Sequence, residues 1–219
     1  MDLKGKKVLF LGDSITRGTG ASCEENAYWN VFGRNTGAIV KGYGISGTRI
    51  APQRTPEPPG GESYAQYFGS RVEGMDPEAD IVVVFGGTND FGHGDAPFGR
   101  MTDREETSFY GALHCLYRKL LTKYPTAEIV VMTPIHRGGE DDPFYNQVAR
   151  TAAPLSGYVQ AIREVAEYYG LPVLDLYRMG GISHHVTKVQ ETYLPDWLHP
   201  SDAGHARIAS RLEGFLKTL

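Results

Sequence analysis

Five segments of the chain carry the hydrophobic signature of strands: Lys7 to Leu11, Ala38 to Tyr43, Asp80 to Phe85, Glu128 to Thr133 and Leu171 to Leu176. Within three of them, Val8 to Leu11, Ile81 to Phe85 and Ile129 to Met132 are unbroken apolar runs rather than alternating ones. Such runs are buried on both faces, like the strands of a parallel sheet covered by helices. The intervening stretches switch to a helical period, over Ala27 to Asn35, Tyr64 to Val72, Glu105 to Tyr124, Leu155 to Tyr169 and Ala203 to Leu216. In the third, Phe109, Leu113, Leu116, Leu120 and Leu121 recur at helical spacing, and Pro125 ends it. In the fourth, Val159, Ile162, Val165, Ala166 and Tyr169 do the same, with Gly170 suited to the C-terminal cap. Ile208, Leu212 and Leu216 mark the last, and Ser201 or Asp202 is placed to cap its start. Strands alternating with helices predict βαβ units with right-handed crossovers, in one domain spanning residues 1–219.

Irregular stretches lie at Ala51 to Gly61, Phe91 to Thr102, His136 to Asn146 and Arg178 to Pro195. The last three follow strands three, four and five. They therefore gather at the C-terminal edge of a parallel sheet, where open α/β folds hold their ligands. The first strand delivers Gly12-Asp13-Ser14 to that edge. The second ends in Gly42-Tyr43-Gly44-Ile45-Ser46-Gly47, whose glycines permit conformations that turn amide N–H groups outward. The third ends in Gly86-Gly87-Thr88-Asn89-Asp90, and Asp196-Trp197-Leu198-His199 stands just before the last helix. Taken singly, these are ordinary turn-forming or solvated residues. Together they bring a hydroxyl, an imidazole, an acid and amide donors to one edge in complementary roles.

A serine hydroxyl is a poor nucleophile until a base takes its proton, and His199 is such a base. Asp196 would accept a hydrogen bond from the other ring nitrogen, fixing the tautomer and stabilising the imidazolium. The oxygen that turns negative after attack needs fixed donors, which the Gly44 backbone and the Asn89 side chain supply. Asp13 is assigned to shaping the turn. Asp202-x-x-His205 has the same spacing as Asp196-x-x-His199. There Asp202 serves better as a helix cap, and the helix dipole disfavours an imidazolium in the first turn. The ordered blocks Gly12-Asp13-Ser14, Gly44, Gly87-Thr88-Asn89-Asp90 and Asp196-Trp197-Leu198-His199 resemble those of the SGNH (GDSL-type) hydrolase family, over nearly the whole chain. The resemblance implies a flavodoxin-like three-layer α/β/α sandwich around a five-stranded parallel sheet. It also implies a triad of Ser14, Asp196 and His199, and an oxyanion hole of Ser14, Gly44 and Asn89.

Composition narrows the partners. A formal charge of -4 and the lack of a Lys/Arg cluster argue against nucleic acid. No apolar run approaches the ~18 residues of a membrane span. The short apolar run after the charged Met1 to Lys7 does not form a signal peptide, which makes the cytoplasm the default expectation. Cys23 and Cys115 make neither a disulfide framework nor a metal cluster. His93, His136 and the pair His184-His185 lack metal-motif spacing, so no metal is expected. No cofactor is expected either, because G-x-G-x-x-G and Walker A patterns are missing. The expected partner is a small-molecule or carbohydrate ester, and nothing fixes the oligomeric state. Loop aromatics, among them Tyr28, Trp29, Phe98, Phe144, Tyr145 and Tyr193, offer surface for a sugar or a short acyl chain. Trp197, Asp90 and Tyr43 are the candidate substrate contacts, with Trp197 as a wall of the acyl pocket. Relatives of this size that the chain resembles often deacetylate carbohydrates, which favours a short-chain esterase. The alternatives are a lysophospholipase, thioesterase or arylesterase, and more distantly a non-catalytic flavodoxin-like binding domain.

Overall fold

The computed structural model describes residues 1–55, 65–142, 145–146 and 153–219. Its centre is a five-stranded, all-parallel sheet in the order β2-β1-β3-β4-β5. The strands are β1 (Lys7–Gly12), β2 (Ile39–Gly44), β3 (Ile81–Phe85), β4 (Glu128–Met132) and β5 (Val173–Leu174). Register is continuous across the middle: Leu11 lies opposite Tyr43 and Val84, and Gly12 opposite Gly44 and Phe85.

Alternation along β1 splits the core in two. Leu9 and Leu11 face one cluster, with α3 (Phe68–Arg71), α5 (Phe109–Lys123) and α6 (Leu155–Tyr168) over it. Val8 and Phe10 face the other, under α2 (Tyr28–Thr36) and α9 (Asp202–Leu216). The result is the expected α/β/α layering. Phe10, Tyr28, Phe32 and Phe85 interlock by edge-on ring contacts at the heart of the second cluster.

Several boundaries differ from those the sequence predicts, each for a local reason. The fifth strand is only Val173–Leu174 because Asp175 accepts the Arg178 N–H and caps α7 (Leu176–Met179). The helix expected from Glu105 starts at Phe109, where the Ser108 hydroxyl takes the Gly111 N–H. The expected irregular stretch from Arg178 contains α8 (Thr187–Tyr193), and α4 (Thr88–His93) runs into the one expected from Phe91; both are too short to show an apolar period. Tyr64, the expected start of the second helix, and Phe144 lie outside the described residues, as do parts of the 51–61 and 136–146 stretches.

The order 2-1-3-4-5 puts the topological switch between β1 and β3, and the crevice at such a point is where ligands sit. α1 (Ser14–Arg17) starts immediately after β1 on that crevice. It sits hard against the sheet. A Cβ on Gly12 would overlap the Thr16 side chain, and one on Gly44 would overlap the Arg17 nitrogen and the Thr16 carbonyl carbon. Asp13, 1% exposed, caps α1 by accepting the Ile15 N–H at 3.0 Å, as its turn-shaping role requires. Burial pushes its carboxyl up to about 7, against the Ile15 N–H and the Arg71 guanidinium, which favour the ionised form.

Two outcomes follow for stability. Gly44→Ala is expected to cost about 1–3 kcal/mol, because the obstruction is backbone and the helix must shift; an unchanged urea midpoint would contradict this seat. Asp13 holds its proton more tightly folded than unfolded, so its contribution is complete below the ordinary 3.8 and is lost as pH rises through about 7. Thermal scans across that interval should show a steeper fall for the parent than for Asp13→Asn, which keeps the capping oxygen and cannot ionise.

Candidate active site

Ser14 is the first residue of α1, buried to 6% exposure at the C-terminal end of β1. Its Oγ lies 3.0 Å from His199 Nε2. The other ring nitrogen, Nδ1, lies 2.7 Å from Asp196 Oδ2. Donation from Nδ1–H to Asp196 leaves Nε2 as the acceptor for the serine hydroxyl. Asp196 is itself fixed, since its Oδ1 accepts the N–H groups of Leu198 and His199 at 2.9 and 2.6 Å. Burial pushes this carboxyl up, but the His199 N–H and ring with the Leu198 N–H outweigh it and hold it below its ordinary value. The tight turn has a conformational cost: Trp197 sits at φ 68, the one described non-glycine residue with positive φ.

His205 is elsewhere in the fold. It is fully buried under α2, with Nδ1 accepting the Tyr28 N–H at 3.2 Å and Nε2 facing the Thr19 carbonyl at 3.3 Å. Burial depresses its pKa to about 4, with the Thr19 carbonyl opposing, so it is a neutral tie between layers. Ser201 caps α9, while Asp202 binds Ser22 and Asn26.

Asn89, in α4, points one way only. Its Nδ2 donates to the Thr48 carbonyl at 3.0 Å, and its Oδ1 faces His93 Nε2 at 3.2 Å. His93 Nδ1 lies 2.7 Å from Arg49 Nη1. A guanidinium can only donate, so Nδ1 accepts, Nε2 carries the proton, and Asn89 Oδ1 must be the acceptor. Burial, then Arg49 and Arg137, depress His93 to about 4 and keep it neutral. The second Nδ2 hydrogen of Asn89 remains for the cavity that Asn89 shares with Ser14 and His199.

That cavity, of about 320 Å³, is also bordered by Ser46, Gly47, Arg137, Tyr145 and Leu198. Gly44 is not on its wall. It belongs to edge strand β2 beneath α1 and opens on a neighbouring hollow with Tyr43. Gly47, at φ 76, takes its place on the cavity wall, and among the described residues neither its N–H nor that of Ser14 has an acceptor. The candidate substrate contacts are likewise placed elsewhere. Buried Asp90 accepts the Ile50 and Ala51 N–H groups at 2.9 Å each, and burial raises its pKa to about 6 against those donors. The Tyr43 hydroxyl accepts the Asp76 N–H. Trp197 is half exposed beside Gly138 and His184, off the cavity wall. Arg137, in the loop after β4, was not among the sequence candidates, although it borders the same cavity. Its guanidinium binds Thr88 and the Tyr145 hydroxyl and lies 5.4 and 5.1 Å from the Phe91 and Tyr145 ring centres. Outside the cavity, His136, Glu140 and His185 come together although no spacing in the sequence announces them.

A family model for GDSL-like lipases and acylhydrolases matches residues 10–207. The chain belongs to the GDSL-like Lipase/Acylhydrolase family. Among solved structures, this GDSL-like chain is similar to a protein from Lactobacillus plantarum, with 32% identity, 98% of each chain covered and a TM-score of 0.82. A member of the lipolytic protein G-D-S-L family from Veillonella parvula shares the fold at 15% identity, covering 97% of this chain and 99% of that one, with a TM-score of 0.67. So does the salicylyl-acyltransferase SsfX3 from a tetracycline biosynthetic pathway, at 18% identity and a TM-score of 0.67, with 98% of this chain and 55% of that one covered. The chain has no match among curated protein sequences. No described helix is long and apolar enough to cross a membrane.

The Arg49–His93–Asn89 chain has a measurable consequence for any ester the site cleaves. His93→Ala should lower kcat with little change in KM, by less than the ~10²–10³-fold that loss of an oxyanion donor costs. His93→Gln, whose amide both accepts and donates, should recover most of it. An unchanged kcat in His93→Ala would show that Asn89 needs no such support.

Proposed function

We propose that this GDSL-like acylhydrolase cleaves short-chain esters, acetyl esters of carbohydrates in particular, through an acyl-enzyme on Ser14. The observation that carries the reading is the continuous chain from Ser14 Oγ to His199 Nε2 and from His199 Nδ1 to Asp196, at 3.0 and 2.7 Å. In the first half-reaction Ser14 Oγ bonds to the acyl carbon as His199 Nε2 takes its proton. The carbonyl oxygen, now negative, receives the N–H groups of Ser14 and Gly47 and the spare Nδ2–H of Asn89. Gly47 therefore replaces Gly44 in the proposed oxyanion hole. Collapse breaks the bond to the alcohol oxygen, which leaves with the proton from His199. Water then attacks the Ser14 ester by the same route, releasing the acid and restoring the hydroxyl.

Two features support a short acyl group on an oxygen-rich alcohol. The cavity is small, about 320 Å³, at the lower end of ligand sites of ~300–1,000 Å³. Its lining includes the partly exposed Tyr145 ring, aromatic surface of the kind that packs against a sugar.

A fluorophosphonate probe should label the parent protein and fail on Ser14→Ala. Among p-nitrophenyl esters of increasing chain length, kcat/KM should be greatest for acetate, and acetylated sugars should be deacetylated. His199→Ala should reduce cleavage by at least ~10³-fold, in keeping with loss of a triad member. A probe that leaves Ser14 unmodified would overturn the serine mechanism. A preference for long acyl chains would overturn the substrate class alone.

A further inference from the structure

The loops after β4 and β5 meet at a second cluster of ionisable groups, behind the turn that carries Asp196 and His199. His136 Nδ1 and His185 Nε2 lie 2.6 and 3.0 Å from the same carboxylate oxygen, Glu140 Oε1. His184 Nδ1 lies 4.0 Å from that oxygen and, though buried, has no hydrogen-bond partner. The Glu140 side chain is 1% exposed, and its second oxygen accepts the Arg137 N–H at 2.8 Å. The ligand atoms of His136, Glu140 and His185 all fall within 4.8 Å of one another.

One buried carboxylate oxygen faced by three imidazole nitrogens is more than hydrogen bonding requires. Two neutral rings would satisfy it, and the third nitrogen would stay orphaned, which is costly in the interior. A single cation at the focus of His136, Glu140 and His185 would satisfy those three groups and stand beside the orphaned His184 nitrogen. In a tetrahedral zinc site with ~2.0–2.1 Å bonds, ligand atoms stand about 3.3 Å apart, and the observed 2.6, 3.0 and 4.0 Å straddle that spacing. We propose that His136 Nδ1, Glu140 Oε1 and His185 Nε2, with His184 Nδ1 on the fourth side, bind one Zn²⁺ ion. Imidazole-rich donors favour zinc over magnesium or calcium, which want oxygen. An outer shell is in place, because the Arg137 N–H orients the carboxylate and the Tyr177 ring lies 4.0 Å from that of His136. His185, whose side chain is 49% exposed, gives the ion a way in.

The ion would act as a clip and not as a Lewis acid for the ester. It joins the His136–Glu140 loop to the His184-His185 loop. Between them Gly138 N–H donates to the Trp197 carbonyl at 2.7 Å, and the His184 and Trp197 rings are 6.3 Å apart. Trp197 lies inside the Asp196–His199 turn, so the clip braces the frame that holds the base. This inference is independent of what Ser14 cleaves.

The test uses the full chain, stripped with a chelator and dialysed free of it. Zn²⁺ titrated calorimetrically should bind at one ion per chain and raise Tm by several degrees, whereas Mg²⁺ and Ca²⁺ should do neither. His185→Ala, a change at an exposed side chain, and Glu140→Gln, which keeps the shape of the buried acceptor, should each weaken Zn²⁺ binding at least tenfold. Their far-ultraviolet circular dichroism should remain that of the parent. Absence of stoichiometric binding would overturn the proposal, leaving a hydrogen-bonded cluster. Binding that survives undiminished in His185→Ala, the variant least able to disturb folding, would overturn it equally, by moving the ion to other histidines.

Discussion

The seat of α1 on the sheet is the constraint from which the rest of the site follows. Gly12 and Gly44 pair across β1 and β2, and neither has room for a Cβ because the first turn of α1 occupies that space. The chain can therefore turn from strand to helix within one residue, Asp13, whose carboxyl closes the turn on the Ile15 N–H. A looser junction would let Ser14 swing away from the β1/β3 crevice. In the observed one its Oγ is held where a base on another loop can reach it. The junction is costly, since it buries an acid whose proton affinity rises accordingly. A local conformational cost at a functional edge is a common bargain in folded proteins.

The donors around the crevice are tied to one another by a second set of bonds. Asn89 and Asp90 are sequence neighbours with divided duties. Asn89 takes the Thr48 carbonyl, while Asp90 takes the Ile50 and Ala51 N–H groups, so the 48–51 segment is pinned to α4 from both sides. Gly47 is one residue upstream of that pinned segment, and the position of its N–H is thereby set by Asn89 and Asp90 together. Among the imidazoles near the site, burial keeps His93 and His205 neutral, each at about 4. His199, by contrast, has a carboxylate against its ring, with Asp196 Oδ2 2.7 Å from Nδ1.

How much of this was legible in the sequence depended on the length scale of each signal. Unbroken apolar runs at 81–85 and 129–132 gave strands at nearly their observed bounds, because burial on both faces leaves a mark at every position. Asp196 and His199 could be grouped as one Asp-x-x-His turn before the last helix, whereas their approach to Ser14, 185 residues before His199, was expected only from the order of the motif blocks. The choice between Gly44 and Gly47 was not legible. Both glycines lie beyond Tyr43, where the expected strand ends, and only the register with β1 shows that Gly44 is consumed by pairing and packing. Arg137 and His93 were invisible for a related reason. Their value lies in contacts to Thr88, Tyr145, Arg49 and Asn89, and the partners come from other loops except where His93 follows Asn89 by one helical turn.

Trp197 shows how the two clusters are mechanically joined. Trp197, at φ 68, lies between Asp196 and the two residues, Leu198 and His199, whose N–H groups Asp196 Oδ1 accepts. The Trp197 carbonyl turns outward to the Gly138 N–H and its ring toward His184. An indole at a position where glycine would relieve the backbone is explained by those outward contacts. The bonds that close the Asp196 turn and the bond that anchors the β4 loop flank one residue at positive φ. The Gly138 N–H to Trp197 carbonyl bond thus ties the His136–Glu140 loop to the turn that carries Asp196 and His199.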